Sequence, residues 1–311
     1  APVPITVWHW AGFILVIFIF LALDLGVFHR TARAIKLKEA LFWTSIWVIL
    51  ALLFARVIEH WLGEEESLQF LTGYVIEFSL SMDNVFAIAM IFAAFGVRAA
   101  NQYRVLHWGI AGAVVMRGVL IVAGAAALRM FHWVFPILGA FLVVTGIHWA
   151  FSKGAAAKPE ENFIVRFARR FFPISGGVDD VRFVTRDGTR WALTPLALVL
   201  LAVETADLVF AVDSIPAIFS VTQNAFIVFT SNMFAILGLR SLYFVLAEAV
   251  EYFRYLRIGL AVILVFIGGK MLLAHWHPIA TTTSLEVILA IFAVSIGVSI
   301  ATARIKKKAP N

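Results

Sequence analysis

The chain has 311 residues, of which 62% are hydrophobic and only 14% are charged. Soluble domains are ordinarily about 25% charged, so the composition excludes soluble globular, disordered, coiled-coil and nucleic-acid-binding proteins and predicts a membrane protein. The net charge is +6, an excess that in a membrane protein is expected in the cytoplasmic loops. The sequence contains no cysteine, which excludes disulfides, thiolate metal sites and cysteine nucleophiles.

Nine apolar runs follow one another along the chain, each close to the roughly 20 residues that a spanning helix needs. They lie at residues 4–24, 39–58, 68–95, 104–127, 131–151, 193–219, 225–247, 256–275 and 285–303. The connections between most of them are short, so we predict one all-α transmembrane domain over residues 1–311. The longest connection, about 152–192, is predicted to be a cytoplasmic loop, and its RDGTR sequence at 186–190 predicts a tight hairpin turn.

The basic residues are concentrated on one side of the predicted bundle. Most of the 25 Lys and Arg residues fall in the segments that follow the first, third, fifth, seventh and ninth runs. Because cytoplasmic loops carry the excess of positive charge, the N-terminus is predicted outside and the C-terminus in the cytoplasm. The basic stretch at 166–172 has two interpretations: a surface helix on anionic lipid, or a solvated connector.

The third and sixth runs share a pattern of two carboxylates six residues apart, and the run after each carries one arginine. These residues are Glu77, Asp83 and Arg117 in the first unit, and Asp207, Asp213 and Arg240 in the second. A unit of three spans reverses direction in the bilayer when it is repeated. We therefore predict an inverted repeat, with spans 3–5 as repeat one (about 68–151) and spans 6–8 as repeat two (about 193–276). The spans at 4–24, 39–58 and 285–303 are then peripheral.

Two features favour interrupted helices near these acids. Pro216 follows Asp213 by three residues, and a proline removes one helix hydrogen bond and frees the carbonyl of Val212 as a cation ligand. Inverted-repeat transporters bind their ligands at such discontinuous helices. Six residues separate Glu77 from Asp83, which places them on different faces of a regular helix. Either that helix is broken, or one acid binds metal while the other carries protons.

Five acids lie deep within predicted spans. They are Glu77, Asp83, Glu204, Asp207 and Asp213. A central Asp costs about 2.5–3.5 kcal/mol in a spanning helix, so the group requires compensation by bases, protons or a cation. Its candidate charge partners are Arg117, Arg240 and Lys270. Salt bridges alone are the structural alternative, but three bases leave about two carboxylates that must be protonated or bind a cation, as in an ion pathway.

The available ligands are oxygen donors. The candidate metal ligands are Glu77, Asp83, Asn84, Glu204, Asp207, Asp213 and Asn232. Carboxylate and amide oxygens suit hard ions such as Mg²⁺, Ca²⁺ and Mn²⁺. Zn²⁺ and Cu⁺ are less favoured because cysteine is absent and the intramembrane histidines, His107 and His148, fall in other runs.

Several strings of the sequence are specific enough to identify a family. They are FLTGYVIEFSLSMDNVFAIAMIF (70–92), LVLLAVETADLVFAVDSIPAIFSVTQNAFIVFTSNMFAILGLRSLYFVLA (198–247), LDLGVFHR (23–30) and GLAVILVFIGGKMLL (259–273). With these strings the chain resembles the TerC/Alx family of bacterial integral membrane proteins over nearly its whole length. It is similar to a minimal member without an appended soluble domain.

The resemblance implies a role in metal-ion homeostasis in the bacterial cytoplasmic (inner) membrane. The family is associated with manganese efflux and with metal supply to exported proteins, its name comes from tellurium-resistance clusters, and it looks like a distant relative of the LysE-type exporters. The family's acidic motif residues carry over onto Glu77, Asp83 and Asn84 in the third span and onto Glu204, Asp207 and Asp213 in the sixth.

The leading hypothesis is a secondary transporter, not an enzyme, that exports Mn²⁺ or, as alternatives, Ca²⁺ or Mg²⁺, with no organic cofactor. Its expected partners are the lipid bilayer, the divalent cation and protons, since carboxylates release protons when they bind metal; nucleic acid is not expected.

A tellurium-resistance component that handles an oxyanion would need converging bases. An intramembrane aspartyl protease would need Tyr-Asp and Gly-x-Gly-Asp motifs, which are absent. A metal-sensing scaffold would need the same ligands as the transporter.

Overall fold

The computed structural model describes residues 5–23, 37–151, 170, 173–174, 182–187, 190–247, 256–274 and 276–308. The helices with described bounds are α1 (Val7–Leu23), α2 (Leu37–Trp61), α3 (Glu64–Ala94), α4 (Ala99–Met130), α5 (Val134–Phe151), α6 (Pro195–Phe219), α7 (Ala225–Ala247), α8 (Leu256–Leu273) and α9 (Thr281–Lys308). Two short strands, β1 (Val184–Asp187) and β2 (Arg190–Leu193), lie between α5 and α6.

Each of the nine predicted apolar runs overlaps one of these helices. Six of the helices (α2 to α6 and α9) are long and apolar enough to cross a membrane. The apolar stretches of the other three are shorter, at Val7–Phe20, Ala225–Leu239 and Ile258–Leu273. Helices are the expected solution because a bilayer offers no partner to an open backbone amide or carbonyl. The fold is a helical, polytopic membrane protein; passage of all nine helices through the membrane remains a prediction.

The ends of α3 are set by two glycines in left-handed backbone conformations. Gly63, with φ of 124°, turns the chain between α2 and α3. Gly96, with φ of 61°, ends α3: its amide donates to the carbonyl of Ala93, and the amide of Val97 donates to that of Phe92. This pair of bonds is the Schellman arrangement that closes many helices. These two turns fix where α3 begins and ends within the bundle.

A small hairpin precedes α6, as the RDGTR sequence predicts. β1 and β2 are antiparallel, and Asp187 pairs with Arg190 across the turn. Thr194 then caps α6, because its hydroxyl accepts from the amide of Ala197 at 3.2 Å, and Pro195 occupies the first helical turn. This hairpin is a short β element that the predicted all-α fold does not include. Apart from residue 170, the basic stretch at 166–172 lies outside the described residues.

The helices that carry the predicted acids are continuous. α3 runs for 31 residues through Glu77 and Asp83, and α6 continues past Pro216 to Phe219. The predicted interruption at Asp213 is therefore wrong. Pro216 lies in the last turn of α6, where the loss of one amide donor does not divide the helix.

α3 is the most buried of the candidate spanning helices. It packs mainly on α7 and α6, while α4 packs mainly on α6 and α7. α2 and α9 flank this group: α2 contacts α7 and α3, and α9 contacts α3 and α8. The residues that face one another across α3, α4, α6 and α7 therefore form the centre of the bundle.

α5 and α8 form a separate, close pair. A Cβ atom added to Gly146 would lie 2.8 Å from the carbonyl oxygen of Ala261, and one added to Gly139 would lie 3.1 Å from that of Gly268. The two contacts run in opposite directions along the chain, so the helices are antiparallel. Small residues of this kind let helix backbones approach closely within a membrane.

Candidate functional site

Arg117 on α4 is fully buried at the centre of the bundle, with 0% of its surface exposed. A buried guanidinium must find acceptors for five N–H donors. Its Nε donates to Oδ2 of Asp207 at 3.0 Å and its Nη2 donates to Oδ1 at 2.6 Å. This two-pronged ion pair joins α4 to α6, a geometry that suits the planar guanidinium.

The remaining face of Arg117 contacts two further helices. Nη1 donates to Oε1 of Glu77 on α3 at 2.5 Å and to Oδ1 of Asn232 on α7 at 3.0 Å. A longer contact of 3.4 Å joins Nη1 to the hydroxyl oxygen of Ser214 on α6. One arginine thus links all four central helices.

Both carboxylate oxygens of Glu77 accept hydrogen bonds. Oε1 accepts from Arg117 and, at 3.3 Å, from the hydroxyl of Ser81; Oε2 accepts from the side-chain amide of Asn232 at 3.1 Å. Asn232 donates to Glu77 while it accepts from Arg117, so the three side chains form a closed ring. All three are completely buried.

Helix periodicity explains why these side chains meet. Glu77, Ser81 and Asn84 are four and seven residues apart and share one face of the continuous helix α3. Asp207 and Ser214, seven residues apart, share the facing side of α6. The six-residue spacing of the paired acids places the second acid of each pair away from this face.

Asp83 and Asp213 occupy equivalent places, six residues after Glu77 and Asp207. Asp83 is partly buried on α3. Asp213 is buried on α6, and its carboxyl group lies close to the side chain of Thr145 on α5. α3 is unbroken. The alternative that remains as a prediction is that one of its two acids binds metal while the other carries protons.

Glu204 lies three residues, or about one turn, before Asp207 on α6. Its carboxylate rests against Gly112 of α4, where an added Cβ atom would lie 2.1 Å from Oε1. It is also within electrostatic range of Asp207. In the described part of the chain, no basic side chain forms an ion pair with Glu204 or Asp213.

Asn84 is one of two described side chains, with Arg104, that have a buried polar atom without a hydrogen-bond partner. It is 3% exposed, and its Oδ1 has no hydrogen-bond partner among the described residues. An unpaired buried acceptor costs about 1–3 kcal/mol. Such an oxygen is suited to a water molecule or a cation.

Lys270 and Arg240 are the other predicted charge partners. The ammonium of Lys270 on α8 donates to the hydroxyl of Ser284 on α9 at 2.8 Å and interacts electrostatically with Glu65. The structure therefore does not bring Lys270 to the carboxylates around Arg117. Arg240 lies on α7, and its side chain is outside the described residues.

The structure brings three of the seven predicted ligands together: Glu77, Asp207 and Asn232 meet around Arg117. Asp83, Asn84, Glu204 and Asp213 lie on the same two helices, α3 and α6. Among the described residues no group of three or more acidic or histidine side chains is arranged to hold a metal ion. Arg117 lies between Glu77 and Asp207, the first acids of the two six-residue pairs, and is hydrogen-bonded to both.

Two further residues shape the site and were missed from the sequence. They are Thr145, which contacts Asp213, and Gly112, which makes room for Glu204. A threonine or glycine in an apolar run carries no distinguishing signal of its own. Their roles depend on which helices are neighbours.

A small cavity lies beside Asp207. It offers about 20 Å³ of space for water and is lined by apolar side chains of all four central helices, among them Ile88, Leu106, Val203 and Ile236. A volume of this size holds about one water molecule. The cavity lies towards the start of α4 and the end of α3, which is the predicted cytoplasmic side.

Comparison with known proteins finds bacterial membrane proteins that align with nearly the whole chain. An uncharacterized membrane protein of Myxococcus xanthus is 48% identical over 295 residues, covering 95% of this chain and 92% of that protein. A protein of Escherichia coli K12 named "Putative membrane-bound redox modulator Alx" is 44% identical over 291 residues, 91% of each chain. An uncharacterized membrane protein of Rickettsia bellii is 34% identical over 291 residues, covering 94% of this chain and 96% of that protein. No solved structure matches the chain.

The family comparison agrees with the resemblance seen in the motifs. The model described as "Integral membrane protein TerC family" matches residues 62–310, which include α3 to α9 and every predicted ligand. The chain belongs to the TerC family of integral membrane proteins.

Proposed function

We propose that this protein is a secondary transporter, not an enzyme, that moves a hard divalent cation out of the cytoplasm across a bacterial inner membrane. The observation that carries the proposal is an excess of acid at the centre of the bundle. Four described carboxylates lie on the central helices α3 and α6, and Arg117 is the one described Lys or Arg that forms an ion pair with any of them; they are Glu77, Glu204, Asp207 and Asp213. One guanidinium balances one carboxylate, so the others require protons or a cation.

The donor set supports a hard cation. Carboxylate, amide and hydroxyl oxygens line the centre, and the unpaired Oδ1 of Asn84 adds one more acceptor. These donors suit Mg²⁺, Ca²⁺ and Mn²⁺. Mn²⁺ is placed first on the family resemblance. The same acid excess disfavours a tellurium oxyanion, which would need converging bases.

The name of the Escherichia coli relative suggests a redox role as well. This sequence has no cysteine, so thiol–disulfide exchange is not available to it. A transported metal ion that serves redox proteins elsewhere would reconcile the name with the acidic centre.

We also propose that α3–α5 and α6–α8 are inverted repeats. The packing supports this, because α3 rests on α7 while α4 rests on α6, and α5 is antiparallel to α8. Arg117 and its carboxylates lie at the junction of the two units, where inverted-repeat transporters bind their ligands. The small cavity beside Asp207 lies on the predicted cytoplasmic side, the side from which an exported cation would enter.

The proposal is tested with purified protein in liposomes that contain a pH dye. Flux of Mn²⁺, Ca²⁺, Mg²⁺ and Zn²⁺ is measured for the wild type, for Asp213→Asn and for the control Glu59→Gln. Glu59 lies on the peripheral helix α2, in a partly exposed ion pair with Arg56, so the control removes a carboxylate outside the centre. We expect Mn²⁺ flux with opposite proton movement in the wild type and control.

We expect folded Asp213→Asn protein without flux. Wild-type flux in Asp213→Asn would remove this carboxylate from the pathway. Metal binding without flux in the wild type would favour the metal-sensing scaffold, and neither binding nor flux would contradict a metal function.

A further inference from the structure

We propose that Arg117 is the transporter's own counter-cation: its guanidinium occupies the central carboxylates, a divalent metal ion must displace it to bind, and its return releases the metal. The inference rests on the proposed function and assigns a regulatory element to the same site. It concerns Arg117 because no other described Lys or Arg side chain is buried.

The contacts of Arg117 are those a hard cation would use. Its three nitrogens are directed at five oxygen atoms: both carboxylate oxygens of Asp207, Oε1 of Glu77, Oδ1 of Asn232 and the hydroxyl of Ser214. Carboxylate, amide and hydroxyl oxygens are also the preferred ligands of Mn²⁺, Mg²⁺ and Ca²⁺. A positive charge on the protein itself therefore holds the donor set, and a metal ion cannot use the same oxygens until the guanidinium leaves.

A second acidic position lies close to the Asp207 end of the Arg117 network. Glu204 lies one turn from Asp207 on α6 and is within electrostatic range of it. Its carboxylate rests against Gly112, on the N-terminal side of Arg117 along α4, which is the direction in which helical side chains point. A guanidinium that moves from Asp207 to Glu204 stays paired while Asp207 and Glu77 become free for metal.

Internal competition of this kind suits transport. When only a fraction of molecules is competent to bind, the apparent Kd equals the intrinsic Kd divided by that fraction. Arg117 thereby weakens metal binding, and it supplies a positive charge that replaces the departing ion. Weak binding favours release, which conduction and transport both require.

The test measures Mn²⁺ binding to the full-length protein in detergent, and Mn²⁺ flux in liposomes, for Arg117→Lys and Arg117→Gln. The control is Arg56→Gln, which removes an exposed arginine from α2. Work at pH 8 keeps protons from replacing the missing guanidinium, because ligands must be deprotonated to bind metal.

We expect the Kd for Mn²⁺ to fall by about tenfold or more in Arg117→Gln, as the population relation predicts. Arg117→Lys should give an intermediate Kd, because an ammonium is a point charge that cannot hold two carboxylates in a planar fork. Flux at saturating Mn²⁺ should fall in both variants, since the bound ion lacks its competitor. Arg56→Gln should match the wild type in binding and flux.

If Arg117→Gln does not fold, Arg117→Lys decides the question. Tighter binding with slower flux supports the inference; equal or weaker binding by folded Arg117→Lys, beside a wild type that transports, overturns it and leaves the proposed function standing. Binding by the variants but not by the wild type supports competition while contradicting transport. Absence of binding in every protein overturns both proposals.

Discussion

Arg117 and Arg56 form ion pairs of almost equal length in opposite surroundings. Arg56 donates to Glu59 at 2.7 Å near the end of α2, and Arg117 donates to Asp207 at 2.6 Å on α6. The side chain of Arg56 is 78% exposed, and that of Arg117 is 0% exposed. The outer pair has one acid, whereas the inner arginine contacts oxygens from three other helices, α3, α6 and α7. In the buried site, the free energy of unfolding depends on whether every polar group has a partner, and not on the length of a single contact.

The largest expected difference between the two pairs is in stability. Arg117→Ala should lower the free energy of unfolding by about 3–5 kcal/mol, because it leaves two buried carboxylates without their base. Arg56→Ala should cost about 0–1 kcal/mol, the range of exposed pairs. Thermal unfolding of both variants in the same detergent measures the contrast. Equal losses in the two proteins would show that the central network is not a special part of the fold.

A smaller effect is expected at the amide that closes the inner ring. Asn232→Ala removes an acceptor for Arg117 and leaves Oε2 of Glu77 without its described donor. The cost should be about 1–3 kcal/mol, as for an unsatisfied buried group. Ser231→Ala is the matched control, since its equally buried hydroxyl only donates to a carbonyl within α7. Similar melting temperatures for the two variants would contradict the ring.

The smallest effect on stability is expected at Asn84, which differs from both arginines because its Oδ1 has no described partner. Asn84→Leu removes an unsatisfied acceptor, so stability should stay within about 1 kcal/mol of the wild type or rise. Metal flux in liposomes should nevertheless fall if this oxygen is a ligand. Unchanged flux together with increased stability would assign Asn84 no part in the pathway.

The helices could be predicted from the sequence, and the reason is physical. An apolar run in a bilayer must satisfy its backbone internally, so hydropathy alone located a helix at each of the nine runs. The predicted break beside Asp213 was wrong because the effect of Pro216 depends on how near it lies to the end of α6.

The membership of the site could be predicted only in part. The spacing of Glu77 and Asp83 implied different faces of a regular helix but left open whether the helix is broken; α3 is continuous. Which acids Arg117 contacts, and that Lys270 instead contacts Ser284, depend on the arrangement of the helices around one another. The sequence of a single apolar run does not specify which helices are its neighbours.

We propose that the acids beside Arg117 carry a divalent cation through the membrane. The most direct test is Mn²⁺ flux, recorded together with internal pH, in liposomes that contain wild-type protein, Asp207→Asn or the exposed control Glu59→Gln. We expect Mn²⁺ movement with opposite proton movement in the wild type and Glu59→Gln, and no flux in folded Asp207→Asn. Flux in Asp207→Asn equal to that of the wild type would contradict this proposal.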